Sequence, residues 1–283
     1  GYLYSNRAFR EKLEKPILKS KNPDAISQLR RLVQPFLLRR LKKDVLKELP
    51  PKEEYVRKIS LSEQERKLYY ACVQAAVADL GDGQSKLQIL AALTRLRQVC
   101  CDPGLCFENY DGPASKLDAC VELCEAMVEN GHQILLFSQF TSMLDRLRAR
   151  LDALHISSFT LQGSTSKEKR ASMVKAFNAG EASVFLISLK AGGTGLNLTA
   201  ADIVIHFDPW WNQAAQDQAT DRAHRIGQQA HVQVYKLIAK DTIEEKILEL
   251  QEKKAALLDT ISGCEETRIL NMSSEELLSL LKS

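Results

Sequence analysis

Aromatic residues make up only 6% of the 283-residue chain, with two Trp, and no apolar run approaches the ~20 residues that span a bilayer. Aromatic-rich barrels and membrane-spanning helices are therefore excluded, and no N-terminal apolar segment resembles a signal peptide. The expectation is a soluble intracellular protein without membrane contact. Seven Cys is an odd number, and the five between residues 100 and 124 show neither a repeated C-x-x-C nor a His at finger spacing. No disulfide framework and no metal site are expected from them. With 13 Gly and 8 Pro the chain is neither collagen-like nor low-complexity. No Gly is followed by Lys and no Asp by Glu, so a phosphate-gripping P-loop and an adjoining acidic pair are both missing.

What is present is ordinary globular material, 45% apolar and 27% charged, enough for about two domains at roughly 150 residues each. The chain opens at Gly1 without a Met and in mid-pattern, which suggests a piece of a longer polypeptide. Its net charge of +3 conceals an asymmetry: residues 1–58 hold 16 Lys or Arg against 7 Asp or Glu, a balance of +9 that leaves −6 for the rest. The basic residues from Arg30 to Lys47 interleave with Leu37, Leu38, Leu41, Val45 and Leu46, as on an amphipathic helix. Such a face either rides solvated or tracks a phosphate backbone.

Residues 1–58 have helical periodicity broken at Pro16, Pro23 and Pro35. A β-like stretch at 55–61 leads to Ser62 and Glu65, spaced to cap a long helix reciprocally; residues 81–85 break that helix, and 87–101 resume it. The loop at 107–114 is the expected domain boundary. Beyond it, apolar runs at 133–138, 156–161, 183–188, 202–207 and 232–237 alternate with amphipathic segments, the pattern of strands buried on both faces of a parallel sheet. The fold class is α/β. An acidic helix at 241–262 and a short helix starting at 273–276 close the chain.

Ligands of parallel sheets gather where strands end and helices begin. After 183–188 comes LKAGGTGLN, whose Gly192, Gly193 and Gly195 either bring backbone amides close to a phosphate or simply make a tight turn. In QAAQDQATDRAHRIGQ (213–228), Arg222 and Arg225 stand three apart, which on a helix puts them on one face about 5–6 Å apart. Such a pair suits charge developing on a transferred phosphoryl group; equally, it is a surface pair bonded to Asp217 and Asp221.

The strings ILLFSQF (134–140), LQGSTSKEKR (161–170), SLKAGGTGLNLTAADIVIHFDPWWN (188–212) and QATDRAHRIGQ (218–228) occur in an order that resembles Swi/Snf-type ATPases of helicase superfamily two. The likeness extends to QPFLLRRLKKDVLKELPPK (34–52), LTRLRQVCCDPGL (93–105) and EEKILELQEKK (244–254), and so covers nearly the whole chain. It implies a RecA-like second helicase lobe at 115–240. Before it would stand the tail of the first lobe (1–58) and a linker with a helical protrusion (59–114), and after it C-terminal helices (241–283).

By that resemblance Arg222 and Arg225 are arginine fingers for ATP held on the other lobe, with Gln218 in support and Gly195 and Asn197 facing the nucleotide. Ser188, Lys190, Gly192 and Gly193 would lie beside a DNA phosphate, and Gln139, Gly163, Ser164, Lys167 and Arg170 along the tracked strand. Trp211 would couple the ATP cleft to DNA, whereas Trp210 is equally well explained by packing. Two departures stand out. Gln213 replaces the usual Pro, an expected loosening of that turn, and Asp102 stands near the usual Asn-His, an expected loss of a linker contact.

The implied function is the C-terminal lobe of an ATP-dependent double-stranded DNA translocase that remodels protein–DNA complexes. Its partners would be DNA, the first lobe and a DNA-bound target protein. ATP and Mg²⁺ would be cofactors of the whole protein, with Mg²⁺ held by the first lobe and nothing bound by this chain alone. A non-hydrolytic docking module and a strand-separating helicase are the alternatives. Location would be cytoplasmic and nucleoid-associated in a bacterium, nuclear in a eukaryote; the compact C-terminal end favours the bacterial case.

Overall fold

The computed structural model describes residues 5–20, 22–33, 52–79, 86–192, 196–225, 227–261 and 280. The chain divides into two compact units, Gly1–Lys47 with Leu250–Thr267, and Glu48–Glu249 with Arg268–Ser283. Most of the expected basic helix, the break at 81–85 and the last short helix lie outside the described residues.

In the first unit, helix α1 (Asn6–Phe9) passes through a π-helical turn, Arg10–Glu14, into α2 (Lys15–Ser20), and α3 spans Pro23–Val33. Pro23 suits the first helical position because it has no amide to leave unpaired, and the Asn22 side chain accepts from the Asp24 amide at 2.9 Å. Leu13, Ile17, Ala25 and Leu29 form its small core.

The second unit is built on a six-stranded sheet in the order β1-β6-β5-β2-β4-β3. The strands are β1 (Lys52–Ile59), β2 (Ile134–Ser138), β3 (Ser158–Leu161), β4 (Val184–Ser188), β5 (Ile203–His206) and β6 (Val232–Ala239), and every pairing is parallel. The five apolar runs are all strands, and the β-like stretch joins them as an edge strand that begins three residues early. Its residues Glu53 to Lys58 are exposed, and their charges make this edge a poor template for stray pairing.

Side chains of a strand alternate between faces, so β2 sends Ile134 and Leu136 to one side and Leu135 and Phe137 to the other. The first side packs on α6 (Ser115–Glu129) and α7 (Thr141–Ala153) through Leu117, Val121, Met143 and Leu147. The second packs on Met173 and Phe177 of α8 (Lys167–Asn178) and on Ala219 and Ala223. Strands β2, β4 and β5 are buried on both faces, as the continuous apolar runs require.

Helices α4 (Glu63–Asp79) and α5 (Lys86–Cys101) precede this sheet package. The Glu65 amide donates to Ser62 Oγ at 3.2 Å and the Ser62 amide to Glu65 Oε2 at 2.8 Å, the reciprocal cap expected from the sequence. The same carboxylate accepts from the Ser115 amide at 2.9 Å and from its hydroxyl, so one buried acid starts both α4 and α6. The acidic helix appears as Ile243–Ile261, whose first amide donates to Tyr69 Oη at 2.8 Å. Burial raises the thiol pKa of Cys100, Cys101 and Cys120, which serve as packing groups.

Candidate functional site

Three loops leave the carboxyl ends of adjacent strands β4, β2 and β5. Asp208, fully buried after β5, joins two of them: its Oδ1 accepts from Ser138 Oγ at 2.6 Å and from the Gln139 amide at 3.2 Å. Its Oδ2 accepts from Arg97 Nη2 at 3.2 Å, and the same nitrogen donates to the Pro209 carbonyl at 2.5 Å. The guanidinium carbon of Arg97 lies 5.5 Å from the ring centroids of both Phe140 and Trp211. Gln139, expected along the DNA strand, and Trp211, expected to couple the ATP cleft to DNA, are thus gathered around one buried Arg97–Asp208 pair. Trp210 packs partly into the sheet core.

Ser188 is buried, and its hydroxyl oxygen accepts from the Ala191 amide at 3.3 Å, capping the short helix α9 (Leu189–Gly192). Gly193, Gly195 and the Lys190 side chain lie outside what the structure describes. Past them, Asn197 is exposed, and the Leu198 amide donates to the Arg222 carbonyl at 3.1 Å. A second strap is the buried Gln228, whose Nε2 donates to the carbonyls of Ala201 at 2.8 Å and Ala223 at 3.2 Å. The structure therefore brings the end of the glycine loop against the arginine segment, although some 25 residues separate them in sequence.

Helix α10 (Gln213–Thr220) starts where Asn212 Oδ1 accepts from the Ala215 amide at 3.3 Å. Gln213, where the family commonly has Pro, bonds within the helix: its Nε2 donates to Asp217 Oδ1 at 2.8 Å, one helical turn on. The expected sharing of a helix face by Arg222 and Arg225 is corrected. The helix ends at Thr220, and both arginines sit in successive turns closed by Arg222 N to Ala219 O at 3.1 Å and Arg225 N to Ala223 O at 3.0 Å. Gln218, on α10, and Arg225 are exposed, while Arg222 is 7% exposed. Burial, and next the neighbouring Arg225 charge, lower the Arg222 pKa, with Asp221 opposing. Arg222 is thus a buried cation beside a second, exposed one.

Gly227 closes this segment at φ +101°, with Thr199 Cγ2 4.0 Å from where a Cβ would stand. Behind it, His206 is neutral: burial, and next Lys236, lower its pKa to about 3. Its Nε2 lies 2.8 Å from Thr220 Oγ1, whose proton goes to the Gln216 carbonyl at 3.3 Å, so the ring is the donor to Thr220.

The remaining expected DNA contacts lie after β3. Gly163, Ser164 and Lys167 are exposed and Arg170 is half-buried; Ser166 Oγ caps α8 by accepting from the Lys169 amide at 3.3 Å. Nothing lies within 4 Å of a Cβ built on Gly163, so packing does not require glycine there. Asp102 has a partner of its own: its Oδ2 accepts from Arg146 Nη1 at 2.8 Å, and Arg146 Nη2 donates to the Gly104 carbonyl at 2.9 Å, which ties the end of α5 to α7. Among the described residues no group of three His, Cys, Asp or Glu could hold a metal ion. Arg97 and Asp208, the two groups that organise these loops, were not singled out from sequence. Each lies inside a family string, LTRLRQVCCDPGL or DPWWN, and that is the one signal that could have marked them.

The six-stranded all-parallel sheet with flanking helices is a RecA-like α/β fold, shared with the Swi2/Snf2 ATPase cores. The SNF2-related domain matches residues 1–105 and the helicase conserved C-terminal domain matches residues 115–227. The chain belongs to the SNF2 family and carries the C-terminal half of a Swi/Snf-type ATPase core. It is 40% identical to the putative ATP-dependent helicase/translocase YwqA of Bacillus subtilis over 99% of its own length and 32% of that protein. It is 36% identical to mouse SWI/SNF-related matrix-associated actin-dependent regulator of chromatin subfamily A member 1, over 89% of this chain and 25% of that one. The Sulfolobus solfataricus SWI2/SNF2 ATPase core in complex with double-stranded DNA superposes with a TM-score of 0.66 at 32% identity, covering 100% of this chain and 61% of the other. The chain thus spans about a quarter to a third of the curated relatives that it matches.

Proposed function

We propose that this chain is the moving second lobe of an ATP-dependent double-stranded DNA translocase that remodels protein–DNA complexes. The observation that carries this reading is the strap between the glycine loop and the arginine segment, Leu198 N to Arg222 O. It would hold Asn197 and the two guanidinium groups as one anion-facing unit. Arg222 and Arg225 would neutralise charge on the transferred phosphoryl group, an effect worth roughly 10³ to 10⁵ in rate. The triphosphate grip and Mg²⁺ would come from the first lobe, because this sequence has no Gly-Lys and no Asp-Glu. Gln139, Gly163, Ser164, Lys167, Arg170, Ser188, Lys190, Gly192 and Gly193 would hold the DNA backbone by charge and shape, without reading bases. Trp211 would pass cleft closure to them.

The test compares ATP turnover by the whole protein with and without double-stranded DNA, alongside a strand-displacement assay. Stimulation by duplex without strand separation supports translocation. Strand separation would favour the helicase alternative, and salt-sensitive DNA binding without turnover would favour a docking module. The isolated 283-residue chain should hydrolyse ATP negligibly.

A further inference from the structure

The linker helix α5 carries a charge where its neighbours are apolar. Leu93, Leu96, Val99, Cys100 and Cys101 of this helix are all buried, and so is Arg97, at 2% exposure. A buried ion pair is a weak source of stability, since apolar side chains of similar volume commonly do as well. Arg97 is moreover not saturated: its Nε is buried without a hydrogen-bond partner, while Nη2 is shared between Asp208 and the Pro209 carbonyl. Its environment is better explained by what it holds. One oxygen of Asp208 takes the Gln139 amide and the other takes Arg97, and the guanidinium lies over the Trp211 ring. Moving the backbone at Gln139 or the ring of Trp211 must disturb the same guanidinium–carboxylate pair.

We propose that Arg97 is a positioning residue that keeps the Gln139 loop and Trp211 in register, so that DNA on the lobe accelerates ATP turnover. This rests on the function proposed above and adds to it a residue of the linker helix. Its planar fork can meet a carboxylate and a carbonyl while stacking on a ring; an ammonium in its place could keep the charge but not the stack.

The experiment uses the whole protein and reads the ratio of turnover with saturating duplex DNA to turnover without DNA. Arg97→Met is expected to lower that ratio about tenfold, Arg97→Lys about threefold, and Arg97→Met combined with Trp211→Ala no further than the worse single change. A role in folding alone would lower both rates by one factor and leave the ratio unchanged, and that result overturns the proposal, as does a multiplicative effect in the double variant. Should Arg97→Met fail to fold, Arg97→Lys, which keeps a charge beside Asp208, decides: an unchanged ratio overturns the proposal and a lowered one upholds it. A wild-type protein without DNA stimulation would overturn the proposed function and this inference with it; stimulation in the wild type with an unaffected variant overturns this inference alone.

Discussion

The Leu198 amide donates to the Arg222 carbonyl at 3.1 Å, so a loop that follows β4 and a turn that follows α10 share a backbone bond. Because the bond is main chain to main chain, Arg222→Ala removes the guanidinium but keeps the accepting carbonyl, which lets the arginines be tested as charges with the strap's donor and acceptor both present.

Gly227 and Gly163 form a natural pair of controls. Gly227 adopts φ +101°, which L side chains rarely tolerate, and Gly227→Ala should cost about 1–3 kcal/mol. Gly163 faces open space, so Gly163→Ala should leave stability within about 0.5 kcal/mol while weakening DNA binding if a phosphate passes there. Urea denaturation and a DNA titration of the whole protein, both variants side by side, check this.

His206 gives the fold a pH dependence of known sign. Its pKa of about 3 in the fold lies below the ordinary ~6.5, so the unfolded chain binds its proton first. Its contribution is full above ~6.5 and is lost as pH falls toward 3, at about 1.4 kcal/mol per pH unit. Denaturation at pH 7 and pH 5 should show a steeper loss for wild type than for His206→Gln; equal losses would contradict the neutral buried ring.

Lys116 and Glu244 lie fully buried with Nζ 2.5 Å and 2.6 Å from the two carboxylate oxygens, joining α6 to the C-terminal helix beneath Phe207. Burial pushes the Lys116 pKa down, but Glu244, with Cys101 and Asp208, more than offsets this and leaves it raised. Lys116→Met should destabilise by about 3–5 kcal/mol because it leaves a buried carboxylate without its counter-charge, and adding Glu244→Leu should recover part of that loss, the remainder reflecting the Ala239 amide that Glu244 Oε2 also accepts at 2.8 Å. Chemical denaturation of the two variants distinguishes this from simple loss of packing, which the second change would worsen.

Much of this was legible from the sequence. The five apolar runs identified the sheet because strands buried on both faces cannot hide their composition, and Ser62 with Glu65 marked a helix start through a purely local cap. The arginine geometry was not legible: QAAQDQATDRAHR has no breaker between Ala214 and Arg225, and the helix ends at Thr220 in a segment held by contacts with Leu198 and Ala201, distant in sequence. Asp102 and Gln213 depart from the family pattern, and their partners, Arg146 and Asp217, appear only in the structure. Arg97 escaped notice because nothing local separates it from Arg95, two residues earlier in the same helix, until Asp208 is seen beside it.

The most direct measurement is ATP binding and hydrolysis by the whole protein carrying Arg225→Ala. ATP affinity should stay within about threefold of wild type while DNA-stimulated turnover drops by roughly 10³ or more, as expected for a group that meets the phosphoryl charge only as it transfers. Turnover retained within tenfold of wild type would contradict the account.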